Sequence, residues 1–283
     1  MKRMSEFGDS AFILPLLFIF SALLIIPFPL SADAFTDAEI SAFQAEIRDR
    51  PLGEKVAFWA EKFVGRPYDT DPIGEYVSKR VIVADERVDC MYLTFRAVEL
   101  ALSSTPGEAA RTALDKRFHG KGVMNNGKVA NYEDRFEYGE DMIRSGKWGR
   151  EITAEAGRIS RVRGPRGREC VAYLSSRELA PAIPKLRSGD ILFFIKTPGK
   201  RKTGEIVGHI GIIKSENGIE TTDNGSWGLE RRKDPTGRRT DPDIVYIIHA
   251  GGMKGKGGMV KKVLLKDYLL RMPFIGAKIT RFD

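Results

Sequence analysis

Apolar positions along this chain follow two regimes: helical spacing through the first half, and short runs of β-branched and aromatic residues after Asp190. Thr36-Asp37-Ala38-Glu39 is a capping box that opens a helix. Val56, Trp59, Ala60 and Phe63 form one face of the next, which stops at Gly65 as a C′ glycine would end it. Gly65-Arg66-Pro67-Tyr68 turns the chain, and residues 81–84 read as extended. Leu93, Ala97 and Leu100 recur at i, i+4 and i+7 in a third helix, which ends in the Ser, Thr, Pro and Gly of 103–107. From there to residue 186 the signal is mixed, with a helix predicted over 132–145 and an exposed loop over the Arg, Gly and Pro run at 157–168. Ser188-Gly189-Asp190 then turns into a strand at 191–195, followed by a charged tip containing Lys200, Arg201 and Lys202. Further strands are predicted at 206–213, 218–222, 244–250, 260–265 and 275–282, with a short helix at 267–271. Helices first and strands afterwards predict an α+β domain with an antiparallel sheet.

Ahead of this pattern, Lys2 and Arg3 lead into an almost uncharged apolar run over 11–30, followed by Ser31-Ala32-Asp33-Ala34, an A-x-A site suited to signal peptidase. The expectation is a cleaved signal peptide at 1–34, a single domain at 35–283 with an elaborated insert at 103–186, and export, most simply to a periplasm. A retained anchor is the alternative, although Pro27 and Pro29 break the end of the run. Cleavage would confine membrane contact to the signal segment. At 283 residues and 42% hydrophobic, the chain can bury a full core. Its net charge of +8 becomes +9 once residues 1–34 take away two basic and three acidic side chains, a balance suited to an anionic cell envelope. Arginines gather at Arg158, Arg161, Arg163, Arg166 and Arg168, and again at Arg231, Arg232, Arg238 and Arg239. These are solvated loops or an anion site. The basic runs lack interleaved aromatics and a recognition motif, which argues against nucleic acid as a partner.

Candidate chemistry begins at Asp89-Cys90, where a helical pattern starts. Asp89 is a good N-cap and Cys90 the first helical residue, a place where unpaired N–H groups and the helix dipole favour thiolate over thiol. Against that stand a cysteine packed as a small hydrophobe, and a disulfide with Cys170, the only other cysteine. Two of the three histidines lie inside predicted strands, one of them in Gly208-His209-Ile210-Gly211, where flanking glycines mark close approach of another group. Cys90, His209 and His249 brought together would make a nucleophile, a base and an orienting group. A zinc site from the same three is the other functional reading, but none of the short ligand spacings is present. Neither a metal nor another cofactor is expected. His119 reads as a loop residue without a role, and Tyr68, taken alone, as a packed loop tyrosine.

The succession Gly65-Arg66-Pro67-Tyr68, Asp89-Cys90, Ser188-Gly189-Asp190-Ile191-Leu192-Phe193-Phe194, Gly208-His209-Ile210-Gly211-Ile212 and Ile248-His249-Ala250 resembles the NlpC-type cell-wall cysteine peptidases, a papain-like superfamily. Within it the pattern looks most like the N-acetylmuramoyl-L-alanine amidase-like branch, as do the segment 138–153 and the tail 258–282 with Asp267-Tyr268-Leu269. The resemblance implies a papain-like α+β fold with the nucleophile at a helix N-terminus packed on an antiparallel sheet. It also implies that Cys90 attacks, His209 is the base and His249 orients it, with Tyr68 and Asp89 on the substrate side of the cleft. Met91 and Tyr92 stand where the family commonly has small residues, and the stretch from His209 to His249 is longer than usual, leaving Asp223 or Asn224 as alternative orienting groups. The implied partner is peptidoglycan or its muropeptide fragments, and the implied bond the one between muramic acid and L-alanine. The γ-D-glutamyl to diamino acid bond is the alternative. A non-catalytic glycan-binding module and an acyltransferase on membrane lipids are the readings of other classes.

Overall fold

The computed structural model describes residues 34–164, 170–201, 205–216, 232–233, 239–240, 244–253 and 257–282. The expected signal segment up to Asp33, the strand expected at 218–222, Asp223, Asn224 and the arginines 166, 168, 231 and 238 lie outside them. Its helices are α1 (Asp37–Glu46), α2 (Leu52–Lys62), α3 (Glu75–Ser78), α4 (Cys90–Ala101), α5 (Pro106–Lys116), α6 (Gly139–Ser145), α7 (Thr153–Ala156), α8 (Ser176–Ala182) and α9 (Leu265–Arg271). The strands are β1 (Met124–Asn125), β2 (Lys128–Val129), β3 (Arg150–Glu151), β4 (Ile159–Val162), β5 (Val171–Ser175), β6 (Ile191–Lys196), β7 (Val207–Glu216), β8 (Arg232–Lys233), β9 (Arg239–Thr240), β10 (Ile244–Met253), β11 (Gly257–Leu264) and β12 (Phe274–Arg281). Among these residues no helix is long and apolar enough to cross a membrane.

The main sheet runs β11-β10-β7-β6-β12-β5-β4, with β3 on β12, and its strand pairs are antiparallel. The expected α+β domain with an antiparallel sheet is thus what the chain forms. Alternation along β6 explains how the sheet is covered on both faces. Ile191, Phe193 and Ile195 join the core under α2 and α4, whereas Leu192 and Phe194 join a second core under α8 and α9. β7 and β10 divide in the same way, with Ile210, Ile212 and Ile248 on the first face and Ile213 and Ile247 on the second.

One break in this sheet positions everything that follows. β7 and β10 pair from Ile244 opposite Glu216 to Ile248 opposite Ile212, and there the pairing ends. Beyond that point β10 continues against β11 to Met253, while β7 continues against β6 to Val207. The two strands therefore part company just where they carry His209 and His249.

Several expectations need correction. Residues 81–84 form no strand; Val88 makes an isolated bridge to Tyr68 instead. The helix expected at 132–145 is a single 3₁₀ turn at Tyr132–Asp134 followed by α6, because Arg135 is extended and interrupts it. The expected loop at 157–168 contains β4, which pairs with β5 at the sheet edge. Residues 103–186 also supply α5, whose N-cap Thr105 precedes Pro106 at the first helical position.

Helix α4 is enclosed along its length, every residue from Tyr92 to Ala101 being buried. Two ion pairs are buried with it: Arg96 on Asp85, and Arg117 on Glu99 at 2.6 Å with both side chains at most 1% exposed. Arg117 also lies over the Tyr92 ring at 5.0 Å. Removing one partner of such a pair strands the other charge in a dry site. Arg117→Met is therefore expected to destabilise the fold by about 3–5 kcal/mol, and the double variant with Glu99→Leu to regain most of that loss. Chemical denaturation of the wild type and the two variants checks this, and equal stabilities for wild type and Arg117→Met would refute it.

Candidate active site

Asp89 is the N-cap of α4, its Oδ1 accepting the Tyr92 N–H at 2.7 Å, and Cys90 is the first helical residue, as the sequence predicted. Both cysteines are free, Cys90 half-buried and Cys170 exposed. The amides of Ile210, Cys90 and Met91 act on the Cys90 sulfur in the direction that favours thiolate. Ile210 is available for this because of the parted strands. The Ile213 N–H bonds the Asp190 carbonyl, which turns the backbone of Ile213 toward β6; alternation turns that of Ile210 toward β10, whose partner residue has moved away.

The two imidazoles enter from the other face. His209 pairs with Phe194 across β6, shares that residue's face, and stacks on Phe274 with ring planes 3° apart. His209 Nε2 lies 3.0 Å from His249 Nδ1. Tyr268 of α9 sits over both rings, 4.9 Å from the His249 centroid and 6.3 Å from that of His209. It is also close enough to Cys90 for the sulfur's charge to act on its hydroxyl. Thiol and imidazoles are thus linked through Ile210, the neighbour of His209 in sequence, and through Tyr268.

Tyr68 closes a third side. The loop that carries it is stitched to β11 by Tyr68 N–H to the Gly258 carbonyl at 2.9 Å, and to the Cys90 segment by Asp69 N–H to Val88 carbonyl at 3.1 Å. Its ring lies on Gly252, where an added Cβ would stand 2.6 Å from the ring. Tyr68 is half-buried beside Cys90 and Asp89, and its hydroxyl is pushed up to about 12 by burial and by the charges of those two residues. His119 stands apart, packed edge-on against Phe136. The glycines beside His209 do mark close approach: a Cβ at Gly208 would meet the Lys196 stem, and one at Gly211 the Ile247 side chain. Sequence reasoning gave no role to Tyr268 or Phe274; the one available signal for Tyr268 was its place in Asp267-Tyr268-Leu269.

The electrostatics correct the expectation of a thiolate. Burial, and then the Asp89 carboxylate, push the Cys90 thiol up to about 12, outweighing the three amides. Burial pushes His209 down to about 3, aided by His249, and His249 down to about 4, aided by Lys261 across β11. The resting pair is therefore neutral thiol and neutral imidazole. Asp89 itself is pushed up to about 6, chiefly by burial. Among the described residues no group of three His, Cys, Asp or Glu side chains is arranged to hold a metal ion.

No known family model matches the chain, and neither does any curated protein sequence. Solved structures do match. An N-acetylmuramoyl-L-alanine amidase from Bacteroides uniformis superposes with a TM-score of 0.55 at 18% identity, over 82% of this chain and 99% of its own. A Legionella pneumophila protein of family DUF1460 gives 0.57 at 14% identity over 86% and 93%. A Bacteroides fragilis protein provisionally named a xylanase gives 0.53 at 18% identity over 80% and 100%. At these identities the likeness establishes the fold: a mixed α/β domain with an antiparallel sheet, shared along nearly the full length of an N-acetylmuramoyl-L-alanine amidase.

Asp89→Asn keeps an oxygen to cap α4 while removing the charge beside the thiol. Above pH 6, where Asp89 is ionised, the variant is expected to react faster with iodoacetamide at Cys90, on the order of tenfold per pKa unit recovered. Below pH 6 wild-type Asp89 is protonated too, so the two rates should converge. A constant ratio across that range would show that the carboxylate does not act on the thiol.

Proposed function

We propose that this chain is an exported cysteine amidase acting on peptidoglycan or muropeptides, at the bond between the N-acetylmuramic acid lactyl group and L-alanine. The observation that carries this reading is the convergence, at the parted strands, of a cysteine in the first turn of a helix, a strand amide turned to its sulfur and a hydrogen-bonded histidine pair. Its papain-like character is part of the proposal. The fold shared with an amidase of that name supports the substrate, as does the basic net charge of +8.

In this reading His209 Nδ1 takes the Cys90 proton as the sulfur attacks the amide carbonyl. For Nδ1 to accept, the hydrogen of neutral His209 must reside on Nε2, which then donates to His249 Nδ1, leaving the His249 hydrogen on its own Nε2. His249 thus fixes the tautomer and supports the imidazolium as it forms. The backbone amides at the start of α4 and at Ile210 are the candidate donors to the tetrahedral oxyanion. His209 returns the proton to the leaving amine, and water, deprotonated by the same nitrogen, hydrolyses the thioester. Because the resting pair is neutral, attack and proton transfer proceed together, and Asp89 restrains the thiol from ionising earlier.

Mature protein and Cys90→Ala are to be incubated with defined muropeptides under reducing conditions and the products weighed by mass spectrometry. Release of intact stem peptide from the sugar by the wild type alone is the expected result. Cleavage inside the peptide would move the assignment to the γ-D-glutamyl bond, and binding without turnover by both proteins would replace the enzyme by a binding module. With His209 at about 3, the base is unprotonated throughout the neutral range, so the acid limb of kcat/KM should fall below pH 5 rather than near 6.5.

A further inference from the structure

We infer that Tyr268 is the positioning residue of the histidine pair: its ring, presented from α9, holds His249 in the rotamer that keeps Nδ1 on His209. The inference rests on the proposed cysteine chemistry for its kinetic consequence, though not for its geometry. His249 has no other described aromatic against it on that side. On the β7 side pairing has ended, and the residue that the register would set opposite His249 is Gly211, which has no side chain to hold the ring. Gly251, next along the same face, offers only hydrogen, a Cβ there coming within 3.0 Å of the His249 ring. A histidine on a splayed strand with Gly251 as its neighbour on that face has several rotamers open to it. What closes them is the Tyr268 ring, tilted 57° to His249, nearly parallel to His209 at 28°, and itself backed by Phe194 at 5.2 Å. Phe194 and Phe274 continue the wall behind His209. The tyrosine belongs to α9, which packs on β10 and β11, so the wall is anchored to the strand that carries His249.

The assignment separates ring from hydroxyl. Tyr268→Phe keeps the surface that both imidazoles rest on; Tyr268→Leu keeps apolar volume and discards the flat face. Tyr268→Phe is expected within about threefold of wild type, whereas Tyr268→Leu should lose about 100-fold in kcat with little change in KM, the scale set by misplacing a catalytic group. Independently of any substrate, ¹⁵N imidazole spectra should show a single fixed tautomer for His209 and His249 in wild type and Tyr268→Phe, and tautomer averaging in Tyr268→Leu. Should Tyr268→Leu not fold, Tyr268→Met refills the site flexibly and serves the same comparison. Fixed tautomers in the Leu or Met variant would overturn the inference, as would a Phe variant as impaired as they are, since the hydroxyl would then be the acting group. If wild type turns over no muropeptide, the amidase reading fails while the spectra still decide the role of Tyr268.

Discussion

The end of pairing between β7 and β10 is the constraint on which this site depends. In a continuous sheet the backbone groups of Ile210 would be spent on β10, and residues on opposite faces would be separated by the sheet itself. Here the ladder stops at Ile212 and Ile248, and the opening admits α4 from one face and the two imidazoles from the other. What keeps β10 from closing back is its commitment to β11, reinforced from outside. Gly65 N–H bonds the Val260 carbonyl, Val260 N–H bonds Arg66, and Tyr68 bonds Gly258, so the segment after α2 behaves as an added edge on β11. That segment then bridges Val88, two residues before the thiol. The Cys90 segment is thus tied by backbone bonds to the outer edge of the sheet.

Two opposed effects meet at Cys90, and magnitude decides between them. Helix-terminal amides favour thiolate by a modest amount, whereas desolvation of a charge in a site walled by Tyr268, Tyr68 and the first core is costly. The structure resolves the contest in favour of desolvation, and the aromatic wall does the same to His209. A thiol and an imidazole held neutral together differ from a preformed ion pair: in the proposed reaction, ionisation is deferred until a carbonyl is present to take the sulfur's electrons. For an exported protein in an oxidising compartment, which is the proposed setting, a thiol held protonated is also protected from oxidation.

Much of this was legible in the sequence because it is local. Asp89 caps through its own helix, the Thr36 box closes on Glu39, and Gly189 turns at φ +85 where a Cβ would strike the Gly53 backbone. The strands of the second half announced themselves by period and β-branched content. What was not legible is non-local. β4 is short and carries Arg161, so its pattern is that of a loop until β5 pairs with it. Residues 81–84 look like a strand by composition, yet no edge is offered to them, and Tyr92 Oη takes the Ala84 N–H instead. Neither the parting of β7 from β10 nor the arrival of Tyr268 beside two histidines has a signature within any window of the chain.

Segment 103–186 bears on the proposed chemistry through rigidity. Arg117, just beyond α5, neutralises Glu99 on the buried face of α4, and β5 joins β12 inside the main sheet, so this segment is built into the domain that holds the thiol. A helix enclosed from Tyr92 to Ala101 cannot tilt without uncovering two ion pairs and the aromatic residues around them. Such enclosure leaves the opening beside Tyr68 and the parted strands as the side from which, in the proposed chemistry, a substrate would reach Cys90. Under the proposed mechanism the sheet opening would set the direction in which a scissile amide approaches Cys90, and the candidate oxyanion donors would be fixed before it arrives.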